Sequence, residues 1–170
     1  MRSLFAFPNP VNEVSARLVA GGVVVMAVLI LALGWHWLLI PLAYGFVARV
    51  ATGPTLSPLG QLVTRGITPR VGANNPVPGP PKRFAQGIGA TLTVSALVLH
   101  FGFGLTTAAD VLVAMVLVAA TLASVFAYCV GCKIFALLMR VGVIPDDVCE
   151  ECNNIWSRTR TAARSSGATA

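Results

Sequence analysis

The sequence predicts an all-α integral membrane protein with four transmembrane helices, arranged as two tandem helical hairpins with a Pro/Gly-rich cytoplasmic loop and tail. Three observations carry that expectation. First, 56% of the 170 residues are hydrophobic and only 11% are charged, where a soluble domain carries roughly a quarter. The mean hydropathy of +0.79 points to bilayer as the solvent. Second, three long stretches carry no formal charge: Leu18–Ala48, Phe84–Ala109 and Val111–Cys132. A span needs about 20 apolar residues. Third, four spans place all twelve Lys and Arg residues on one side.

The elements follow in chain order. Residues 1–14 form a cytoplasmic N-terminal segment, and 15–52 the first hairpin. Its charge-free stretch is long for one helix and short for two, and Gly34 and Pro41 interrupt it. This predicts spans at Ser15–Leu33 and Trp35–Thr52, with Trp35 and Trp37 at the interface and Arg17 and Arg49 snorkelling. Glu13 and Arg17 are unusual flanks for a signal peptide, and no small-x-small cleavage site precedes Trp35, so the first helix is read as retained. Residues 53–83 hold Gly53-Pro54, Ser57-Pro58 and Pro78-Gly79-Pro80-Pro81 and predict an extended cytoplasmic loop, with a short interfacial helix near Leu59–Thr64. The second hairpin, 84–128, has spans at Phe84–Phe103 and Thr107–Tyr128 with Gly102 and Gly104 in the turn. A Cys-pair interfacial segment covers 129–156, and the polar tail 157–170 is expected to be disordered.

Basic residues set the orientation. The positive-inside rule puts both termini and the 53–83 loop in the cytoplasm, in the inner (cytoplasmic) membrane of a cell. The net charge of +6 alone would suggest nucleic acid. The cations are scattered, however, and the membrane rule accounts for all of them, so the partner expected is the lipid bilayer and not nucleic acid.

The chain also repeats. Asn9-Pro10-Val11 recurs as Asn75-Pro76-Val77, 66 residues on, and at the same offset Arg17 matches Arg83 and Gly21 matches Gly87. Two units of two spans each would be parallel repeats, related by an axis along the membrane normal.

All four cysteines lie in two pairs, Cys129-Val130-Gly131-Cys132 and Cys149-Glu150-Glu151-Cys152. The first pair falls where the last span reaches the cytoplasmic interface. A permanent disulfide is disfavoured in that reducing compartment, which leaves thiol redox, sulfur transfer or metal binding. On an unbroken helix the two thiols share a face, and Gly131 would let the helix break there. A helix restarting after Gly131, with Lys133 adjacent, favours a thiolate on Cys132 as nucleophile, with Cys129 resolving. Cys149 and Cys152 would be accessory thiols on a flexible lead. The spacing of Cys129, Cys132, Cys149 and Cys152 also fits a zinc site, although the apolar segment Ile134–Met139 between the pairs looks amphipathic rather than like a zinc knuckle.

Arg83-Phe84-Ala85-Gln86, Gly53-Pro54 with Ser57-Pro58, and Cys129-x-Gly-Cys132 followed by Lys133-Ile134-Phe135 resemble a bacterial integral-membrane family catalogued only as a domain of unknown function. Its last span ends in Cys-x-Gly-Cys. The resemblance covers about Asn9–Leu138 and leaves Cys149 and Cys152 outside. It implies a genomic setting among thioredoxin-like and rhodanese-like sulfur proteins. The layout is also similar to small four-helix membrane thiol oxidoreductases that pass electrons to a quinone, but those carry their thiols on the outer face.

His36, His100 and Asp110 fall near the outer ends of spans, as interfacial residues or as a proton or quinone site. No phosphate loop, Gly-x-Ser-x-Gly or His-Glu-x-x-His is present. The function expected is dithiol redox or sulfane-sulfur exchange with a cytoplasmic thioredoxin- or rhodanese-like partner. The alternatives are a non-enzymatic membrane module with a zinc-tied tail and a small sulfur-species transporter.

Overall fold

A computed structural model of the protein describes residues 11–53, 56–67, 76–77 and 79–143. The expected tail and the Cys149/Cys152 pair lie outside the described residues. Among the described residues the architecture is helical apart from one short strand pair. In order it runs β1 (Val11–Asn12), α1 (Glu13–Leu33), a 3₁₀ turn (His36–Leu38), α2 (Leu39–Thr52), α3 (Pro58–Gln61) and a wide π-type turn (Leu62–Ile67). It continues with β2 (Pro76–Val77), α4 (Gly79–Phe103), α5 (Thr106–Val125) and α6 (Val130–Arg140).

Among the described residues three helices, α1, α4 and α5, are long and apolar enough to cross a membrane. Helix α1 begins where the Asn12 side chain accepts the Val14 N–H at 3.0 Å, which satisfies one of the free amides at a helix start. Gly34 and Gly104 both adopt φ near 67°, a left-handed conformation that ends α1 and turns the chain from α4 into α5. Helix α4 starts five residues earlier than the sequence suggests. Pro80 and Pro81 sit in its first turn, where a missing N–H breaks no helical bond. The segment expected as the second span is a 3₁₀ turn followed by only 14 helical residues.

Helix α1 packs along α5, α2 along α4, and α4 along α5, while α1 and α2 scarcely touch. The gap between α1 and α2 is taken by Pro58–Ile67, so this part of the expected extended loop is folded. Ser57 caps α3 by accepting the Gly60 N–H and is fully buried. Leu59 reaches α1 at Gly22, where any Cβ would collide with it. The core stacks Val23, Ala27 and Ile30 of α1 against Leu42 and Phe46 of α2, Ala96 of α4 and Val113 of α5. Alanine and glycine at these contacts let helices approach closely. Buried hydroxyls bond their own helix: Thr93 donates to the Gly89 carbonyl at 2.8 Å and Thr52 to that of Ala48 at 2.9 Å. Outward positions are apolar, among them Val25, Tyr44, Val118 and Phe103.

Besides the helix packing, a strand pair and two arginines link the first half of the chain to the second. β1 and β2 pair antiparallel with Val11 opposite Val77. Arg17 donates to the Ser124 and Val125 carbonyls at the end of α5, and Arg83 donates to the Val50 carbonyl near the end of α2. Each arginine sits near the start of one helix and answers carbonyls left free at the end of another.

Candidate functional site

The site is built where α5 stops and α6 begins. Helix α5 ends at Val125, and the chain reverses through Ala127, which adopts φ of 54°. A non-glycine residue rarely takes that conformation. The Tyr128 N–H closes the turn on the Leu122 carbonyl at 3.0 Å. Cys129 is then extended (φ −87°, ψ 104°) and caps α6, its sulfur accepting the Cys132 N–H at 3.4 Å. The helix break therefore precedes Cys129 and does not fall at Gly131, as the sequence suggested. Gly131 lies inside α6 and is buried against α4, and a Cβ there would come within 2.6 Å of Ala85 Cα. Its smallness serves close packing. Phe135, one turn further on, packs on Phe84 of α4 with ring centroids 5.6 Å apart.

This placement inverts the expected order of thiol acidity. A helix that restarts at Val130 directs its positive end at Cys129, not at Cys132. The Cys129 thiol is brought down to about 6. The largest cause is donation by the Cys132 thiol. Bonds from the Cys132 and Gly131 amides and the charge of Lys82 assist, and burial opposes. Cys132 is pushed up, first because it is that donor, then by burial and by the charge on Cys129. Lys133 was expected to activate Cys132, but its ammonium lies over the Tyr128 ring, 5.6 Å from the centroid. The cation that acts on the pair is Lys82, from the first turns of α4.

Behind Cys129 is a partly open cavity of about 160 Å³ lined by residues of α1, α2, α4, α5 and α6. Its walls are mostly alanine and branched aliphatic side chains. Among the described residues its polar groups are Arg49, Lys82, Gln86 and Cys129. Arg49 does not snorkel. It is 5% exposed, it donates from Nε to the Gly45 carbonyl at 2.8 Å, and its guanidinium lies 4.5 Å from the Phe46 ring centroid. No carboxylate among the described residues pairs with it. Gln86 turns a buried Oε1 towards no partner. The sequence did not mark Arg49, Lys82 or Gln86 as site residues. The available signal was Arg49 itself, a cation three residues before the end of an apolar helix.

At the opposite ends of the helices the structure brings together His36, His100 and Asp110. The histidine rings stack at 4.2 Å, and His36 Nε2 lies 2.9 Å from Asp110 Oδ1. His100 Nδ1 is buried without a partner. The zinc arrangement needs Cys149 and Cys152 and so falls outside the described residues. Among the described residues, no group of three His, Cys, Asp or Glu side chains is placed to hold a metal ion.

Helices of this length and apolarity define an all-helical membrane protein. Within that class the chain belongs to the family described as a domain of unknown function, DUF4395, which matches residues 11–140. The match takes in Cys129 and Cys132 and stops short of Cys149. No curated protein and no solved structure matches the chain.

Proposed function

We propose that the protein is a thiol-exchange protein of the cytoplasmic membrane. In this reading four spans form two tandem hairpins, and Cys129 and Cys132 face the cytoplasm. They carry out dithiol redox or sulfane-sulfur exchange with a thioredoxin- or rhodanese-like partner.

The pairing of Val11 with Val77 supports the repeat, since residues 66 apart that pair antiparallel lie on a twofold axis. The matching roles of Arg17 and Arg83 support it too. The short second segment reaches roughly 27 Å when the 3₁₀ turn and α2 are added, close to the roughly 30 Å hydrocarbon core. The charge distribution favours thiols on the cytoplasmic side.

The observation that carries the proposal is Cys129 at the α6 N-cap, with its sulfur held by the Cys132 N–H. A thiolate there attacks a partner disulfide and forms a mixed disulfide, and one partner sulfur leaves as thiolate. Cys132 then attacks Cys129 and releases the second partner sulfur. Two electrons pass to the partner and a Cys129–Cys132 disulfide remains. Cys132, held protonated until Cys129 is consumed, suits the resolving role.

Equilibration of the purified protein in glutathione redox buffers tests this. Expected is a single two-electron transition in which both thiols lose reactivity to alkylation together, abolished by Cys129→Ser or Cys132→Ser. Two thiols that stay free at every buffer ratio would refute it.

A further inference from the structure

Resting on the thiol reading of Cys129, we propose that the cavity behind it binds a small sulfur-bearing anion of the thiosulfonate type. Arg49 and Lys82 hold the sulfonate oxygens, and the terminal sulfur is presented to Cys129. Thiosulfate is the simplest such anion.

Arg49 gives the strongest indication. An ionised side chain taken out of water is costly unless something compensates it. Arg49 is buried in the bundle, spends one N–H on a carbonyl and stacks on Phe46, and no described carboxylate neutralises it. It borders a cavity, and so does a second cation, Lys82. Two cations on one partly open cavity, with no acid among the described residues that line it, favour an anion in the space between them.

Gln86 adds to this. Its buried oxygen has no donor as placed, and turning the amide over directs its NH₂ group into the cavity as a donor instead. The remaining wall is alanine and aliphatic, a surface that suits a polarisable sulfur better than a hydrated hard ion. The volume of about 160 Å³ has room for a small anion.

Cys129 determines the chemistry. Its thiolate attacks the terminal sulfur of thiosulfate and forms a new S–S bond. The original S–S bond breaks with its electron pair on sulfur, and sulfite leaves. The products are a Cys129 persulfide anion and sulfite. Charge and electrons balance without an external oxidant. Thiolate and thiosulfate bring three negative charges together. Arg49, Lys82 and the roughly half charge at the α6 amino end offset most of that repulsion. The persulfide is then a sulfane donor for a partner thiolate at the cytoplasmic surface.

The test uses the full-length protein in detergent or vesicles with thiosulfate as the probe. Expected are a saturable gain of one sulfur atom on Cys129 by mass spectrometry and release of an equal amount of sulfite. Arg49→Lys and Lys82→Gln should each raise the half-saturating thiosulfate concentration about tenfold. Lys133→Gln, the same charge change as Lys82→Gln but outside the cavity, should leave it within about twofold. Anionic iodoacetate should label Cys129 faster relative to neutral iodoacetamide than it labels a free cysteine, and Lys82→Gln, which removes one of the two cations, should reduce that preference. Non-saturable sulfur gain, or gain indifferent to Arg49 and Lys82, would overturn the anion site and leave thiol exchange standing. Equal protection of Cys129 by inorganic phosphate or by phosphatidylglycerol vesicles, without sulfur transfer, would overturn the sulfur assignment in favour of a phosphate site. Failure of Cys129 to react even with iodoacetamide would defeat the thiol reading and this proposal together.

Discussion

Titration of the two thiols by pulsed alkylation separates an activated Cys129 from an ordinary cysteine. With Cys129 near 6, about nine-tenths is thiolate at pH 7, against about 3% for an unperturbed thiol near 8.5. The gain in rate is smaller than the gain in thiolate, because a less basic thiolate is a weaker nucleophile by about tenfold over that interval. At pH 7 the two effects leave Cys129 only about two- to threefold faster than a free cysteine, but at pH 6 about tenfold faster. The midpoint of the pH profile is therefore the discriminating quantity. The thiolate form of Cys129 is present above about pH 6, so labelling should be level near pH 7 and above and fall as the pH drops through 6. Cys132, pushed the other way by its donated proton and its burial, should label slowly up to at least pH 9. Peptide-resolved mass spectrometry after short exposure to iodoacetamide between pH 5 and 9 reads both profiles. Two superimposed curves with midpoints near 8.5 would refute the activation of Cys129 by the α6 amino end.

Three further outcomes follow from the packing and charge pattern. Gly131→Ala forces α6 away from Ala85, should cost about 1–3 kcal/mol in thermal unfolding, and should move the Cys129 midpoint towards 8.5 as the cap loosens. Arg17→Ala removes two hydrogen bonds to the end of α5 and, being exposed, should destabilise by roughly 1 kcal/mol without shifting the Cys129 profile. A reporter fused after Ala170 should read as cytoplasmic and one inserted at Gly104 as external; swapped signals would put the thiols on the opposite face.

Much of the fold was legible because apolar length adds up residue by residue along the chain. The charge-free stretches gave α1, α4 and α5, and Gly34 and Gly104 marked turns in left-handed conformations. The valines of the two Asn-Pro-Val segments, Val11 and Val77, pair in β1 and β2, a contact the sequence did not predict. The site was legible only as Cys129 and Cys132. Three features depend on tertiary contacts that periodicity does not encode. The helix break falls before Cys129 because Gly131 must lie flat on Ala85, a contact between residues distant in sequence. Arg49 turns inward because α2 is apolar nearly all round, so no polar face of its sequence says which side meets the bundle. Lys82 replaces Lys133 as the cation beside the thiols because α4 begins early enough, through Pro80 and Pro81, to bring Lys82 under α6. The clustering of His36, His100 and Asp110 needed the ends of three helices to be brought together, and the sequence placed them only at one side of the membrane.

The central claim, that Cys129 attacks and Cys132 resolves, is tested most directly by trapping with glutathione disulfide at pH 7. Cys132→Ser protein should accumulate a stable glutathione adduct on Cys129, while Cys129→Ser protein should form almost none on Cys132, and the native pair should pass through the adduct to an internal disulfide. An adduct that forms on Cys132 as fast as on Cys129, or faster, would contradict the account.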